Sequence, residues 1–182
     1  MAAPFRIAFV PGVTPGKWLR TWKERRLGPL EASLVEEAEQ RRVLDEDRAD
    51  MCFMRQAVDR DGLHLIPLYD EKPVVVVPKD HPATVYDSIT ESDLEGEIRL
   101  HVSADLTAKQ AIETVAAGTG VVVVPMSVAR LHHRRDVAFV VVDDLPETSV
   151  GLAWRKDRDD DRFEQFIGVV RGRTPRSSRG GR

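Results

Sequence analysis

The apolar positions of this chain change period several times, and each change marks an element. Phe5–Val10 (FRIAFV) is a short apolar run and predicts a strand. After Pro11-Gly12-Val13, Thr14 suits a helix N-cap and Pro15 a first helical residue, so a helix is predicted to about Arg26. Trp18, Leu19 and Trp22 share one face of it and read as core, and Gly28-Pro29 ends it. Leu30–Val35 alternates and predicts a second strand. Residues 36–47 read as a charged helix with Val43 and Leu44 turned inward, and Asp50–Arg55 as a third, buried strand. A β-α-β-α-β order favours parallel strands joined by right-handed crossovers.

Leu63–Pro67 and Lys72–Pro78 are extended, with a turn at Lys79–Pro82. Ile89–Glu95 predicts a short helix with Thr90 as cap and Asp93 reaching back to it. Ile98–Val102 predicts a strand, and Asp105 or Thr107 caps the helix that follows. Residues 110–130 are punctuated most clearly. Ala111, Ile112, Val115 and Ala116 recur at helical spacing, and Gly118 stands where a helix ends. Val121–Val124 is β-branched throughout and reads as a buried, parallel strand. Pro125 then opens a helix over Met126–Arg130. Val137–Val142 and Val150–Arg155 predict strands. Asp157–Asp161 opens a last helix carrying Phe163, Phe166, Ile167 and Val170 on one face. Buried strands among amphipathic helices define an α/β layer structure.

The 182 residues allow one domain or two small lobes, and 42% hydrophobic with 31% charged residues suits a soluble chain with a proper core. No apolar run approaches a membrane span, and MAAPFRIAFV is not a secretory signal, so the expected compartment is the cytoplasm. Cys52 is the single cysteine and reads as a buried, inert thiol. The net charge of −3 is uneven. Residues 171–182 (RGRTPRSSRGGR) hold five Arg and no acid, which leaves 22 basic against 30 acidic side chains elsewhere. The acidic body repels nucleic acid, and only the tail, expected to be disordered, could attract it.

Enzyme signatures are missing. His132 and His133 are adjacent and diverge on a helix, while His64, His81 and His101 are scattered, so no metal site is expected. Ser33, Ser103 and Ser127 lie in no nucleophile motif, and Asp143-Asp144 and Asp159–Asp161 read as solvated turns or helix starts. Gly118-Thr119-Gly120 runs from helix into strand, the reverse of a phosphate loop, and no G-x-G-x-x-G follows the first strand. No catalytic residue and no cofactor are therefore expected. Ligands of open parallel sheets bind beyond the carboxyl ends of strands, here Gly12–Thr14, Glu36-Glu37 and Ser103. Helix N-termini there favour an anion, although Glu37 opposes one, and Thr14 and Ser103 read equally well as simple caps.

The order of these segments resembles the effector-binding (substrate-binding) domain of LysR-type transcriptional regulators, which has the type 2 periplasmic-binding-protein fold. The matching passages are FRIAF and its helix, WKERRLGPLEASLVE, LDEDRADMCFMR, LIPLYDEKPVVVVPKDHP, ITESDL, VAAGTGVVVVP, VGLAWRKD and the final amphipathic helix, covering Phe5 to Arg171. Asp50 stands at the family's Asp, and Asp47 where Gly is usual. The resemblance implies two small α/β lobes joined by crossover strands near Lys72–Val77 and Val140–Glu147. Lobe one would take about 5–71 and 147–171, lobe two about 75–142, and 172–182 the basic tail. Lobe two is expected to be shortened between Leu94 and Gln110.

By position, the resemblance places Val13, Thr14, Glu37, Ser103 and Thr107 around a small effector, often a carboxylate, in the interlobe cleft. It also implies an antiparallel, side-by-side homodimer. This chain begins at the first strand of such a domain and carries no DNA-reading helix, so no sequence-specific nucleic-acid binding is expected of it. Two readings follow: a ligand-sensing regulatory domain, or a ligand-free interaction module that modulates a full-length regulator. An enzyme on this fold, or a nucleic-acid binder acting through the Arg-rich tail, has less behind it.

Overall fold

The computed structural model describes residues 3–55 and 59–173. In chain order its strands are β1 (Phe5–Phe9), β2 (Leu30–Leu34), β3 (Met51–Arg55), β4 (Leu63–Glu71), β5 (Pro73–Pro78), β6 (Ser88–Ile89), β7 (Arg99–Leu100), β8 (Val121–Pro125), β9 (Val137–Val142) and β10 (Thr148–Arg155). The helices are α1 (Gly16–Glu24), α2 (Arg42–Asp45), α3 (Ala108–Ala116), α4 (Met126–Leu131) and α5 (Asp161–Val170). Single 3₁₀ turns lie at Glu37–Glu39, Pro82–Val85 and Glu91–Leu94.

The strands form two sheets, each with its own helices and its own core. The first runs β2-β1-β3-β10-β4, with β1 parallel to β2 and β3, and β10 antiparallel to both β3 and β4. Every residue of β3 is buried because both faces of this sheet are covered. On one face α1 and α5 close over Phe5, Ile7 and Phe53. Trp18 stacks on Phe53 with ring centroids 4.7 Å apart, Trp22 stacks on Phe5 at 5.4 Å, and Phe166 meets both phenylalanines edge-on. Trp22 is buried, and its Nε1–H donates to the Gly28 carbonyl at 2.9 Å. The two tryptophans are therefore core. On the other face α2 brings Val43 and Leu44 against Ala8, Cys52 and Ala153.

The second sheet runs β6-β9-β5-β8-β7. Its centre, β5, is antiparallel to β8 and β9. Helices α3 and α4 cover one face, and Ala83, Ile89 and Leu94 lie on the other. β8 was expected to be parallel, and it is so only toward β7. α3 carries the chain from β7 back beside it in a β-α-β unit, whereas β5 enters from the other sheet and runs the opposite way. The chain passes from the first sheet to the second at Lys72 and returns across residues 143–147.

Two local expectations are corrected and one open choice is settled. Thr14 does not cap α1: Pro15 holds the cap position in a helical conformation, with no side-chain capping bond. Residues 36–47 are not one helix but the Glu37–Glu39 turn followed by α2. The break falls where the Gln40 side chain turns inward and accepts the Arg55 main-chain N–H at 2.9 Å. At α3 the choice of cap resolves to Thr107, whose hydroxyl accepts from the Gln110 N–H while Gln110 Oε1 accepts from the Thr107 N–H.

Asp47 adopts φ +54°, a left-handed position that Asp tolerates better than most side chains. Its carboxylate receives Arg158 at 2.6 Å, while Asp50 binds the Arg6 main-chain N–H and guanidinium, each at 2.8 Å. Nine of the tail residues, 174–182, lie outside the described residues.

Burial pushes the Cys52 thiol up to about 12, so at pH 8 roughly one in ten thousand is thiolate. The native protein is expected to be inert to a disulfide reagent such as dithionitrobenzoate at pH 8, and to release one equivalent of thiolate on unfolding in guanidinium. Stoichiometric reaction of the folded protein within minutes would contradict this burial.

Candidate functional site

A cleft of about 650 Å³ opens where the two sheets face each other. Its first-sheet lip is Pro11, after β1, and residues 36–40, after β2. Its second-sheet lip is built by residues 99–104, by Thr107 and Ala108 at the start of α3, and by residues 123–125 with Val128. Thr148, at the return crossing, closes one end. Leu100, Val102, Ala104, Ala108, Val123 and Val128 make much of the far wall apolar.

Beside the first-sheet lip sits Arg55, the last residue of β3 and fully buried. Its Nε and Nη2 reach Glu71 Oε2 at 3.0 Å, its Nη1 donates to the Pro11 carbonyl at 2.8 Å and to Glu37 Oε2 at 3.2 Å, and its Nη2 donates to Ser127 Oγ at 3.2 Å. Ser127 in turn donates to Glu71 Oε1. Arg55 belongs to the first lobe, Glu71 to the end of the strand entering the crossing, and Ser127 to α4 of the second lobe. One buried guanidinium therefore ties the lobes together beside the cleft, through four hydrogen bonds and a 3.0 Å ion pair with Glu71. Gly12 makes room for it: at φ +90°, an added Cβ would lie 3.0 Å from Arg55 Nη2 and would collide with Ser127. Burial, reinforced by the Glu71 charge, raises the pKa of nearby Tyr69. His132, which ends α4, is held below the usual imidazole value by burial, against the opposing charge of Glu36.

Of the positions expected at a ligand, Glu37, Ser103 and Thr107 line the cleft. Val13 lies in the core under α1, and Thr14 borders a separate shallow depression with Lys17, Arg20 and Tyr69. Ser103 Oγ accepts from the main-chain N–H groups of Asp105 and Leu106, both at 3.2 Å, so its acceptor capacity is spent within its own loop. Arg55, Glu71, Ser127 and Gln40 were not anticipated as part of the site. The one sequence signal was a charged residue ending the otherwise apolar run MCFMR. No group of three His, Cys, Asp or Glu among the described residues could hold a metal ion, and no described helix is long and apolar enough to cross a membrane.

The family model described as LysR substrate binding domain matches residues 2–113. This chain belongs to the LysR substrate binding domain family. A curated relative of this LysR domain is the HTH-type transcriptional regulator CatR of Pseudomonas putida, 29% identical over 167 residues. That match covers 78% of the chain and 56% of CatR, so the LysR domain spans a little over half the length of its relative. Among solved structures, the OxyR regulatory domain of Pseudomonas aeruginosa superposes with a TM-score of 0.72 at 22% identity, covering 94% of this chain and 97% of that one. The BenM effector binding domain with its effector benzoate gives 0.74 at 20% identity, covering 98% and 95%. At such identities the likeness concerns the fold, which is the mixed α/β, type 2 periplasmic-binding-like fold of LysR effector-binding domains.

Proposed function

We propose that this LysR domain is a ligand-sensing regulatory module that holds a small effector in the cleft between its lobes. The observation that carries this is a 650 Å³ cleft walled by both lobes and flanked by the Arg55 network that joins them. The BenM effector binding domain was solved with benzoate, and a cleft of this size suits a molecule on that scale. Glu37, Ser103 and Thr107 are the positions expected on the sequence that would meet it. An effector gripping both lips favours the closed arrangement by its differential affinity for the two states, which is how binding becomes a signal. The module is proposed to work in the cytoplasm, as a homodimer, in partnership with a DNA-binding regulator.

A thermal-shift series with fragment-sized aromatics on the wild-type chain tests this. A ligand at a hundredfold its Kd is expected to add about 2.7 kcal/mol of stability. Ala108→Trp, at the first turn of α3, fills the cleft from its apolar wall and is expected to abolish the shift while leaving the fold intact. No shift from any compound, or a shift that survives Ala108→Trp, would remove the cleft from the account.

A further inference from the structure

We infer that the Ser127 hydroxyl is the catch of an interlobe latch: it holds the two lobes at one angle and, when released, lets them turn about the crossings with each lobe's fold intact. The partners in the Arg55 network divide unevenly between the lobes. Arg55, Glu71, Glu37 and the Pro11 carbonyl all stand on the first-sheet side. Ser127 is the single second-lobe side chain in the network among the described residues, accepting from Arg55 Nη2 at 3.2 Å and donating to Glu71. Its position makes it a stop as well as a bond. The main-chain N–H of Met126, one residue earlier, donates to the Lys72 carbonyl at 3.0 Å, and Pro125 pairs with Pro73, so the start of α4 is pinned to the crossing itself. Just past that pivot Ser127 faces Gly12, so closely that an added Cβ on Gly12 would lie 3.1 Å from Ser127 Cβ and collide with the hydroxyl.

Turning the lobes one way presses Ser127 into Gly12, and turning them the other way breaks both of its hydrogen bonds. The second movement strands no charge. Without Ser127, Arg55 keeps Glu71 at 3.0 Å, the Pro11 carbonyl at 2.8 Å and Glu37 at 3.2 Å. Each lobe also keeps its own sheet and its own core. Release therefore costs little more than two hydrogen bonds, whereas loss of Arg55 itself would leave a buried carboxylate without its cation. A small gap between two packed arrangements is what a hinge requires. None of this needs a ligand, so it holds whether or not the cleft takes one.

Distances between nitroxide labels on the two lobes read the angle. Lys23→Cys on α1 and Glu95→Cys beyond the Glu91–Leu94 turn stand at exposed positions, and burial of the Cys52 thiol leaves the labelling to them. By double electron–electron resonance, the otherwise unchanged full chain is expected to give one narrow distance. Ser127→Ala is expected to raise the population of a second, distinct distance about tenfold while the chain still melts cooperatively. Gly12→Ala, which wedges the same contact, is expected to move the main distance. Ser33→Ala, at an exposed hydroxyl of β2, is expected to change nothing. An unchanged distribution in Ser127→Ala, whatever its loss of melting temperature, overturns this inference and makes Ser127 a packing residue only. A broad distribution in the otherwise unchanged chain overturns it too, because nothing then holds the lobes. If Gly12→Ala does not fold, Ser127→Ala alone decides.

Discussion

Replacing Arg55 with alanine is expected to cost roughly 3–5 kcal/mol of folding stability, the range found when one member of a buried ion pair is removed. Glu71 is nearly buried, and it would lose its cation while staying out of water. The Pro11 carbonyl would lose its donor, and Ser127 and Glu37 would each lose a partner. The side chain also leaves a void between the lobes. The midpoint of urea denaturation at pH 7 reads the loss directly. Arg55→Met combined with Glu71→Met is expected to recover a good part of it, because an apolar pair of similar volume needs no partners in a buried site. A loss below about 1 kcal/mol for the single variant would mean that water replaces the guanidinium at no cost, and the network would not be what joins the lobes.

That network shows where a reading of one sequence stops. The strands were legible because their signals are local. FRIAF, MCFMR and VVVVP are largely apolar or β-branched runs, the first and last bordered by Pro or Gly, and they became β1, β3 and β8. The face of α1 carrying Trp18 and Trp22 was legible for the same reason. The Arg55 cluster joins positions 11, 37, 55, 71 and 127, and nothing local tells Arg55 from any charged residue ending a strand. The helix expected over residues 36–47 failed on the same grounds, since the inward turn of Gln40 depends on a main-chain N–H fifteen positions away. The same distance effect moved Val13 into the core and Thr14 away from the cleft lining, although both follow a strand's carboxyl end.

Gly120→Ala is expected to be the next most damaging change, by about 3 kcal/mol from backbone strain and crowding together. Gly120 stands at φ +70°, and an added Cβ would lie 3.1 Å from the Ile98 carbonyl carbon and collide with its oxygen. That oxygen cannot swing away cheaply, because it accepts the Val121 N–H at 2.8 Å and so sets the register of β7 beside β8. Gly118→Ala is the control: it shares a positive φ, of +87°, but an added Cβ there meets nothing within 4 Å. Its cost is expected to stay near 1 kcal/mol, the strain contribution alone. Parallel thermal melts of the two variants separate collision from strain. Equal losses would show that the Ile98 segment yields. Because β7 leads directly into the second-sheet lip, Gly120→Ala is also expected to blunt any ligand-induced shift, whereas Gly118→Ala is not.

The sheet order has a consequence for biosynthesis. In β2-β1-β3-β10-β4, the strand that joins β3 to β4 is β10, made after the whole of the second sheet. A ribosome releases everything from Pro73 to Val142 before it delivers Thr148–Arg155. The second sheet is therefore contiguous and can close during translation. The first must wait with β3 and β4 unzipped, each presenting bare edge N–H and C=O groups. A nascent chain stalled before residue 148 would carry one finished lobe and one half-built one, with the buried surface of β3 open to other chains.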